Sequence, residues 1–428
     1  MILPQQKRYR LEFLGAVKTA KREFVAANDE MLIDVAVTRL DPVGSLRSQL
    51  LSSPTDRTYD AGWASAALSK EQAREAQKLL ADDYSSRVRL TRLEEIESEE
   101  ITIDGKTLRY ATHTYGTRPA NGWSLWISLH GGGGTTPAVN DQQWENQKRL
   151  YTPEEGIYLA PRAPTNTWNL WHQAHIDGLF DRLIENCLHL EGVDPNRVYL
   201  LGYSAGGDGV YQLAPRLADR FAAAAMMAGH PNDARPEGLR NLPFTLHMGA
   251  NDSAYSRNKV AATWKTRLAE LKESDPEGYP HWVEIHEDKG HWMDRDDAAA
   301  IPWMAKSTRN PFPKRVVWVQ DDVTHPRFYW LANPAPARGA TITATLTGQE
   351  IVLSDVNAVG TIHIRLNDAM LDLDRPVRVV RGEELLFEGK VPRTIETLAK
   401  TLEERGDRTA VWSAELVVPL GAVPSSEK

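Results

Sequence analysis

Val193-Asp194-Pro195-Asn196-Arg197-Val198-Tyr199-Leu200-Leu201-Gly202-Tyr203-Ser204-Ala205-Gly206-Gly207 is the stretch whose reading decides the fold. A turn over 193–196 introduces an apolar, β-compatible run over 197–201. From 207 to about 220, Val210, Leu213, Leu217 and Phe221 recur at helical spacing. Between strand and helix lies Gly-x-Ser-x-Gly. Gly202 and Gly206 lack Cβ atoms, so strand and helix can approach closely around a strained serine. Such a turn lifts the Ser204 hydroxyl clear of the sheet. It also sets the Ala205 N–H at a helix N-terminus, where negative charge is favoured.

Working outward, the same alternation continues. Upstream, the nearly continuous apolar run 123–129 reads as a buried parallel strand ending in His130-Gly131-Gly132-Gly133-Gly134. A short strand over 156–160, a Pro/Asn/Trp-rich loop to Trp171 and a helix over 176–190 follow. Downstream, strands are expected over 222–227, 244–248 and 282–286, with helices over 261–271 and 296–305. A hairpin turns at Asp104-Gly105. Strands alternating with helices imply an α/β unit over 96–306, a mostly parallel sheet covered on both faces.

Two flanking parts have a different grammar. Residues 5–92 read as helical: Tyr9, Phe13, Leu14, Val17, Phe24 and Val25 form one apolar stripe, and Ser69-Lys70-Glu71-Gln72 is a capping box for a helix over 71–82. This gives a helical N-terminal extension over 1–95. After a Pro-bearing linker at 307–314, period-2 segments separated by turns suggest a β-sandwich over 315–428, interrupted by one helix at 395–404. The tail 424–428 is expected to fray.

Composition sets the outer limits. The chain has 428 residues, 25% charged and 41% hydrophobic, with a net charge of −8. That balance fits a globular enzyme or binding protein and shows no basic stripe for nucleic acid. The single cysteine, Cys187, excludes an intrachain disulfide and sits in an apolar run, as a buried inert thiol would. The N-terminus shows no apolar leader core, and no run is long enough to span a membrane, so a cytoplasmic location is expected.

A serine hydroxyl needs a base to become a nucleophile, and the base needs an orienting acid. In an open parallel sheet such groups gather where the strands end. Asp252 follows the strand over 244–248, in Gly249-Ala250-Asn251-Asp252. His291 follows the strand over 282–286, in Gly290-His291. The expected roles are Ser204 as nucleophile, His291 as base and Asp252 as its orienting acid. The glycines after His130 let backbone N–H groups face an oxyanion, with Gly131 or Gly132 donating beside Ala205. Tyr203, next to the serine, and His230, just past the strand over 222–227, are candidate substrate contacts. Trp171, with Trp168 and His172, either lines a pocket or belongs to the core. Asp208 reads as a helix-dipole partner. No Cys/His cluster or phosphate-binding loop is present, so neither a metal nor a cofactor is expected.

The residues from about 123 to 305 resemble the α/β-hydrolase fold, and most resemble serine esterases related to polyhydroxybutyrate depolymerases, feruloyl esterases and dienelactone-hydrolase-like enzymes. The loop 129–134, the stretch 193–207, Gly249-Ala250-Asn251-Asp252 and Gly290-His291 carry that resemblance. It implies a Ser204–Asp252–His291 triad acting on a small or oligomeric ester. Dienelactone hydrolases proper use cysteine; Ser204 favours ordinary ester hydrolysis. A serine peptidase of prolyl-oligopeptidase type and a non-catalytic binding scaffold are the two rival readings. Only 16 residues separate the strands over 222–227 and 244–248, too few for a large cap. Either the site is open, or the N-terminal helices or the C-terminal β domain cover it and limit substrate size; the same two parts are candidates for holding a second copy or a protein partner.

Overall fold

The structure, a computed structural model, describes residues 8–14, 19–25, 41–54, 57, 59 and 62–421. The N-terminal part departs from expectation. Strands β1 (Arg8–Leu14) and β2 (Thr19–Val25) pair antiparallel, Arg8 opposite Val25. The helical stripe is corrected here: Tyr9, Leu11 and Phe13 alternate with Arg10 and Glu12, a period of two that suits a strand. Val17 and the tail 424–428 lie outside the described residues.

Helices α1 (Pro42–Leu50), α2 (Lys70–Thr91) and α3 (Leu93–Glu97) follow. The capping box forms: Gln72 N donates to Ser69 Oγ at 3.2 Å and Ser69 N to Gln72 Oε1 at 2.9 Å. α2 runs beyond 82 because Ala73, Ala76, Leu80, Tyr84 and Val88 continue one buried stripe.

The central part comprises β3 (Glu100–Ile103), β4 (Lys106–Tyr115), β5 (Trp123–Leu129), α4 (Pro137–Gln147), β6 (Gly156–Arg162), α5 (His175–Asn186), β7 (Val193–Tyr203), α6 (Ala205–Arg216), β8 (Ala223–Met227), β9 (Phe244–Gly249), α7 (Arg257–Ser274), β10 (His281–His286) and α8 (Ala300–Met304). Its eight strands form one sheet, ordered β10-β9-β8-β7-β5-β6-β4-β3. β5 to β10 are parallel; β4 and β3 are antiparallel additions at one edge. Successive side chains on a strand point to opposite faces. Leu125, Ile127 and Leu129 accordingly bury on one face with α5 and α6, while Trp126, Tyr199 and Leu201 bury on the other with α8. The chain leaves β5 for β6 on one side and returns to β7 on the other. Ser204, just past β7, therefore sits where strand order reverses, the place where such sheets hold ligands.

The C-terminal part comprises β11 (Arg315–Val319), β12 (Arg327–Phe328), β13 (Leu331–Ala332), β14 (Thr341–Thr347), β15 (Glu350–Asn357), β16 (Thr361–Leu366), β17 (Val377–Arg381), β18 (Glu384–Gly389), α9 (Ile395–Glu403) and β19 (Ala414–Pro419). It has a five-stranded sheet, β11-β14-β15-β17-β18, and a four-stranded one, β12-β13-β16-β19. Ile342 and Ile351 of the first and Ile362 and Val418 of the second belong to one buried cluster, which also includes Phe244 and Leu246 of the central sheet. α2 packs on α9, with Leu80 and Tyr84 clustering with Leu398 and Leu402.

Buried ion pairs hold these parts together. Arg309, in the linker, donates to Asp219 O at 2.9 Å and pairs with Asp407 at 2.5 Å. Asp219 accepts the Tyr329 N–H at 2.8 Å and pairs with Arg405. Asp181 pairs with Arg220 at 2.7 Å and Arg327 at 2.8 Å. Burial alone would raise the Asp407 and Asp181 carboxyls, but the facing guanidinium groups override it and hold both down to about 2.

Asp219→Ala leaves the Arg405 guanidinium buried without its carboxylate and should cost about 3–5 kcal/mol in denaturant unfolding. The depressed Asp181 and Asp407 carboxyls stabilise the fold above their unfolded value of 3.8, and that contribution is lost as pH falls toward about 2. Unfolding midpoints should fall steadily on acidification across that window; a flat profile would contradict the pairing.

Candidate active site

The serine turn is built by exclusion. Ser204 has φ 59° and ψ −123°, a conformation costing on the order of 1–3 kcal/mol in a non-glycine residue. Close packing holds it there. A Cβ on Gly202 would lie 2.3 Å from Gly206 O, and one on Gly206 would lie 2.1 Å from Leu129 O. Ser204 N donates to Met227 O at 2.9 Å, tying the turn to β8.

Three strand ends then meet at this serine. Ser204 Oγ lies 2.9 Å from His291 Nε2, and His291 Nδ1 lies 2.7 Å from Asp252 Oδ2. Asp252 is buried after β9, and Arg257 Nη1 stands 3.7 Å from its other oxygen. A Cβ on Gly249 would meet Gly290 O at 2.0 Å, so a glycine lets the loops after β9 and β10 touch. Tyr203 pins the histidine loop: its O–H donates to His291 O at 2.6 Å, and its oxygen accepts the Met293 N–H at 3.1 Å. The His291 side chain is 44% exposed, so its face toward the cleft is open.

The glycine loop lies against the same serine. A Cβ on Gly131 would sit 3.2 Å from Ser204 Cβ. Gly133 exchanges two hydrogen bonds with the buried Asn140 side chain, at 2.9 and 3.0 Å, which clamps the loop to α4. His130 supports it from below: Nε2 accepts the Ala163 N–H at 3.1 Å, so the ring proton sits on Nδ1, facing Gly131 O at 2.5 Å. Burial pushes His130 down to about 4, so the ring stays neutral.

Ser204, His291, Gly131, Gly132 and Tyr203 line one cleft of about 580 Å³. Asp252 sits behind His291, and Ala205 opens α6 beside the serine. Two expected contacts lie elsewhere. Trp171 is fully buried, its indole donating to His130 O at 3.0 Å, so it props the glycine loop instead of lining a pocket. The His230 N–H donates to Asp208 Oδ1 at 2.6 Å and its ring accepts the Asn232 N–H at 3.0 Å; it is not among the cleft-lining residues. Asp208, raised by burial to about 6, thus ties α6 to the loop after β8.

One wall was missing from the sequence reading. α4 and the turn after it supply Val139, Gln143, Asn146, Arg149 and Leu150, while Trp292 and Arg295 face them. Thr136-Pro137, an N-cap residue followed by proline at the first helical position, is the signal that could have found α4. Among the described residues, none from 1–95 or 315–428 lines the cleft; its walls come from α4, the turn after it and the loop after His291.

Tyr203→Phe removes one hydroxyl and both of its bonds to the histidine loop. Turnover on any substrate that uses His291 should fall about tenfold with KM little changed, since about 1.4 kcal/mol of lost positioning is a tenfold rate effect; stopped-assay kinetics check it.

Among proteins of known sequence, "Putative esterase NocK" from Nocardia uniformis subsp. tsuyamanensis is 28% identical over 153 residues, spanning 33% of this chain and 44% of that protein. The chain thus matches less than half of that relative's length. Among solved structures, a thermostable esterase overlays 49% of this chain and 62% of its own at 19% identity, with a TM-score of 0.38. An acetyl xylan esterase from Aspergillus awamori overlays 48% of this chain and 97% of its own at 14% identity, with a TM-score of 0.35. No protein-family model matches. The parallel sheet with its antiparallel edge, the serine turn after β7 and the loops meeting it from β9 and β10 give this chain the α/β-hydrolase fold, and over a third of its length its sequence is similar to a protein named as a putative esterase.

Proposed function

We propose that this chain hydrolyses carboxylic esters through an acyl-enzyme on Ser204. The observation that carries this reading is the run of two hydrogen-bonding distances, 2.9 Å from Ser204 Oγ to His291 Nε2 and 2.7 Å from His291 Nδ1 to Asp252 Oδ2. Likeness to an esterase over a third of the chain supports the ester as substrate.

In the proposed cycle, Ser204 Oγ attacks the ester carbonyl while its proton passes to His291 Nε2. The buried Asp252 carboxylate holds the Nδ1–H tautomer and stabilises the imidazolium. Negative charge on the former carbonyl oxygen meets the Ala205 N–H and an N–H of Gly131 or Gly132, groups already fixed by α6 and by the Asn140 clamp. The alcohol leaves with the proton from His291. Water then attacks the acyl carbon, giving its proton to His291, and Ser204 recovers that proton as the acid departs. No step calls for a cofactor.

Wild type should turn over p-nitrophenyl acetate and butyrate. Ser204→Ala should lose about 10⁴-fold or more in kcat, together with fluorophosphonate labelling, as removal of a triad nucleophile does. Asp252→Asn should lose about 10⁴-fold by favouring the wrong imidazole tautomer. A parallel peptide-amide assay separates the peptidase alternative; wild type inert toward every ester and unlabelled at Ser204 would sink the hydrolase reading.

A further inference from the structure

The cleft beside Ser204 carries an unusual charge pattern for this chain. The protein has a net charge of −8, yet among the described residues no carboxylate lines the cleft, and its lining includes two arginines, Arg149 and Arg295. Each belongs to one of the two facing walls. Both side chains are exposed, and among the described residues neither meets an acid.

Neighbouring acids are occupied in a way that leaves these arginines open. Arg295 lies between Asp294 and Asp296, but both turn to Lys289, at 2.9 and 3.1 Å. Glu145, one helical turn before Arg149, pairs with Lys148 at 2.7 Å, and Lys148 also lies over the Trp144 ring. Lysines thus neutralise the local acids while guanidinium groups remain unspent.

The two arginine-bearing turns are also fixed to each other. Two residues beyond each arginine, the buried Tyr151 O–H donates to the buried Asp297 carboxylate. Arg295 itself has a left-handed backbone, φ 68°, which sets the direction in which its side chain departs. The exposed Trp292 indole and Val139 add apolar surface to the same cleft.

A planar guanidinium with five donors recognises a carboxylate more specifically than an ammonium does. We propose that Arg149 and Arg295 form an anion-recognising rim, so that the favoured substrates are esters bearing a carboxylate on the acyl or the alcohol side. This rests on the esterase reading above and names the substrate class of the same site. The chemistry at the scissile bond is unchanged; the rim contributes binding and orientation.

The test compares matched ester pairs. On the acyl side, mono-p-nitrophenyl terephthalate is set against p-nitrophenyl benzoate. On the alcohol side, 4-acetoxybenzoate is set against phenyl acetate. For each pair the ratio of kcat/KM, anionic over neutral, is measured in wild type, in Arg149→Gln/Arg295→Gln and in Arg149→Lys/Arg295→Lys. In at least one pair the ratio should fall about 10- to 100-fold in the glutamine variant, the scale of a lost charge-assisted pair, and recover in part with lysine. The pair that responds identifies the side that carries the anion. Ratios within about twofold of wild type in both pairs would overturn the rim while neutral-ester turnover kept the hydrolase reading intact. Wild type inactive on all four esters would overturn both.

Discussion

Close approach of α6 to the strands beneath it is the constraint on which the rest depends. At Gly202, Gly206 and Gly207 an added Cβ would come within 2.5 Å of a backbone oxygen, on Gly206, Leu129 and Met227 respectively. No other side chain fits those gaps. The helix therefore seats directly over β5, β7 and β8, and the connecting residue, Ser204, takes a positive φ. That one packing fact lifts the hydroxyl, aims the first amide of α6 and brings the glycine loop after β5 against the serine. Strain at Ser204 is tolerated because three strands over-determine it.

Around that fixed point the side chains divide their labour between contact and support. His291 and the glycine loop face the cleft. Trp171, His130 and Asn140 work from behind, and Tyr203 from the cleft wall, each spending polar atoms on backbone groups of the loops around the serine. The flanking parts act on the far side. α2 lies on α9 and reaches Glu185 through Tyr84 and Arg92, while Arg309 and Arg405 enter the interior to meet Asp407 and Asp219. These contacts brace the central sheet, and none of these residues lines the cleft.

How much of this was legible depended on the kind of signal each element carried. The strands of the central sheet are short apolar runs before glycine or turn residues, and β5, β7, β8, β9 and β10 formed within a few residues of where those runs lie. The capping box at Ser69 formed because its two bonds are local. Residues 8–14 and 19–25 were misread because aromatic and aliphatic residues spaced by three and four also fit a period of two, and pairing between β1 and β2 decided between them. α4 escaped notice because its buried residues are Asn140 and Gln147, polar groups buried for their hydrogen bonds, which leave no apolar stripe.

By itself the sequence determined the serine turn, the α/β alternation, and the order in which Ser204, Asp252 and His291 follow their strands, on which the proposed roles rest. All are local patterns, written in glycines, in apolar runs and in the residues that follow them. Only the tertiary structure decided that Trp171 is a prop, that the His230 main-chain N–H goes to Asp208 and its ring to Asn232, that α4 walls the cleft and that Arg149 and Arg295 share one opening. These are relations between residues far apart in the chain. They depend on which polar atom is already satisfied by a neighbour, and that is settled when the layers pack together.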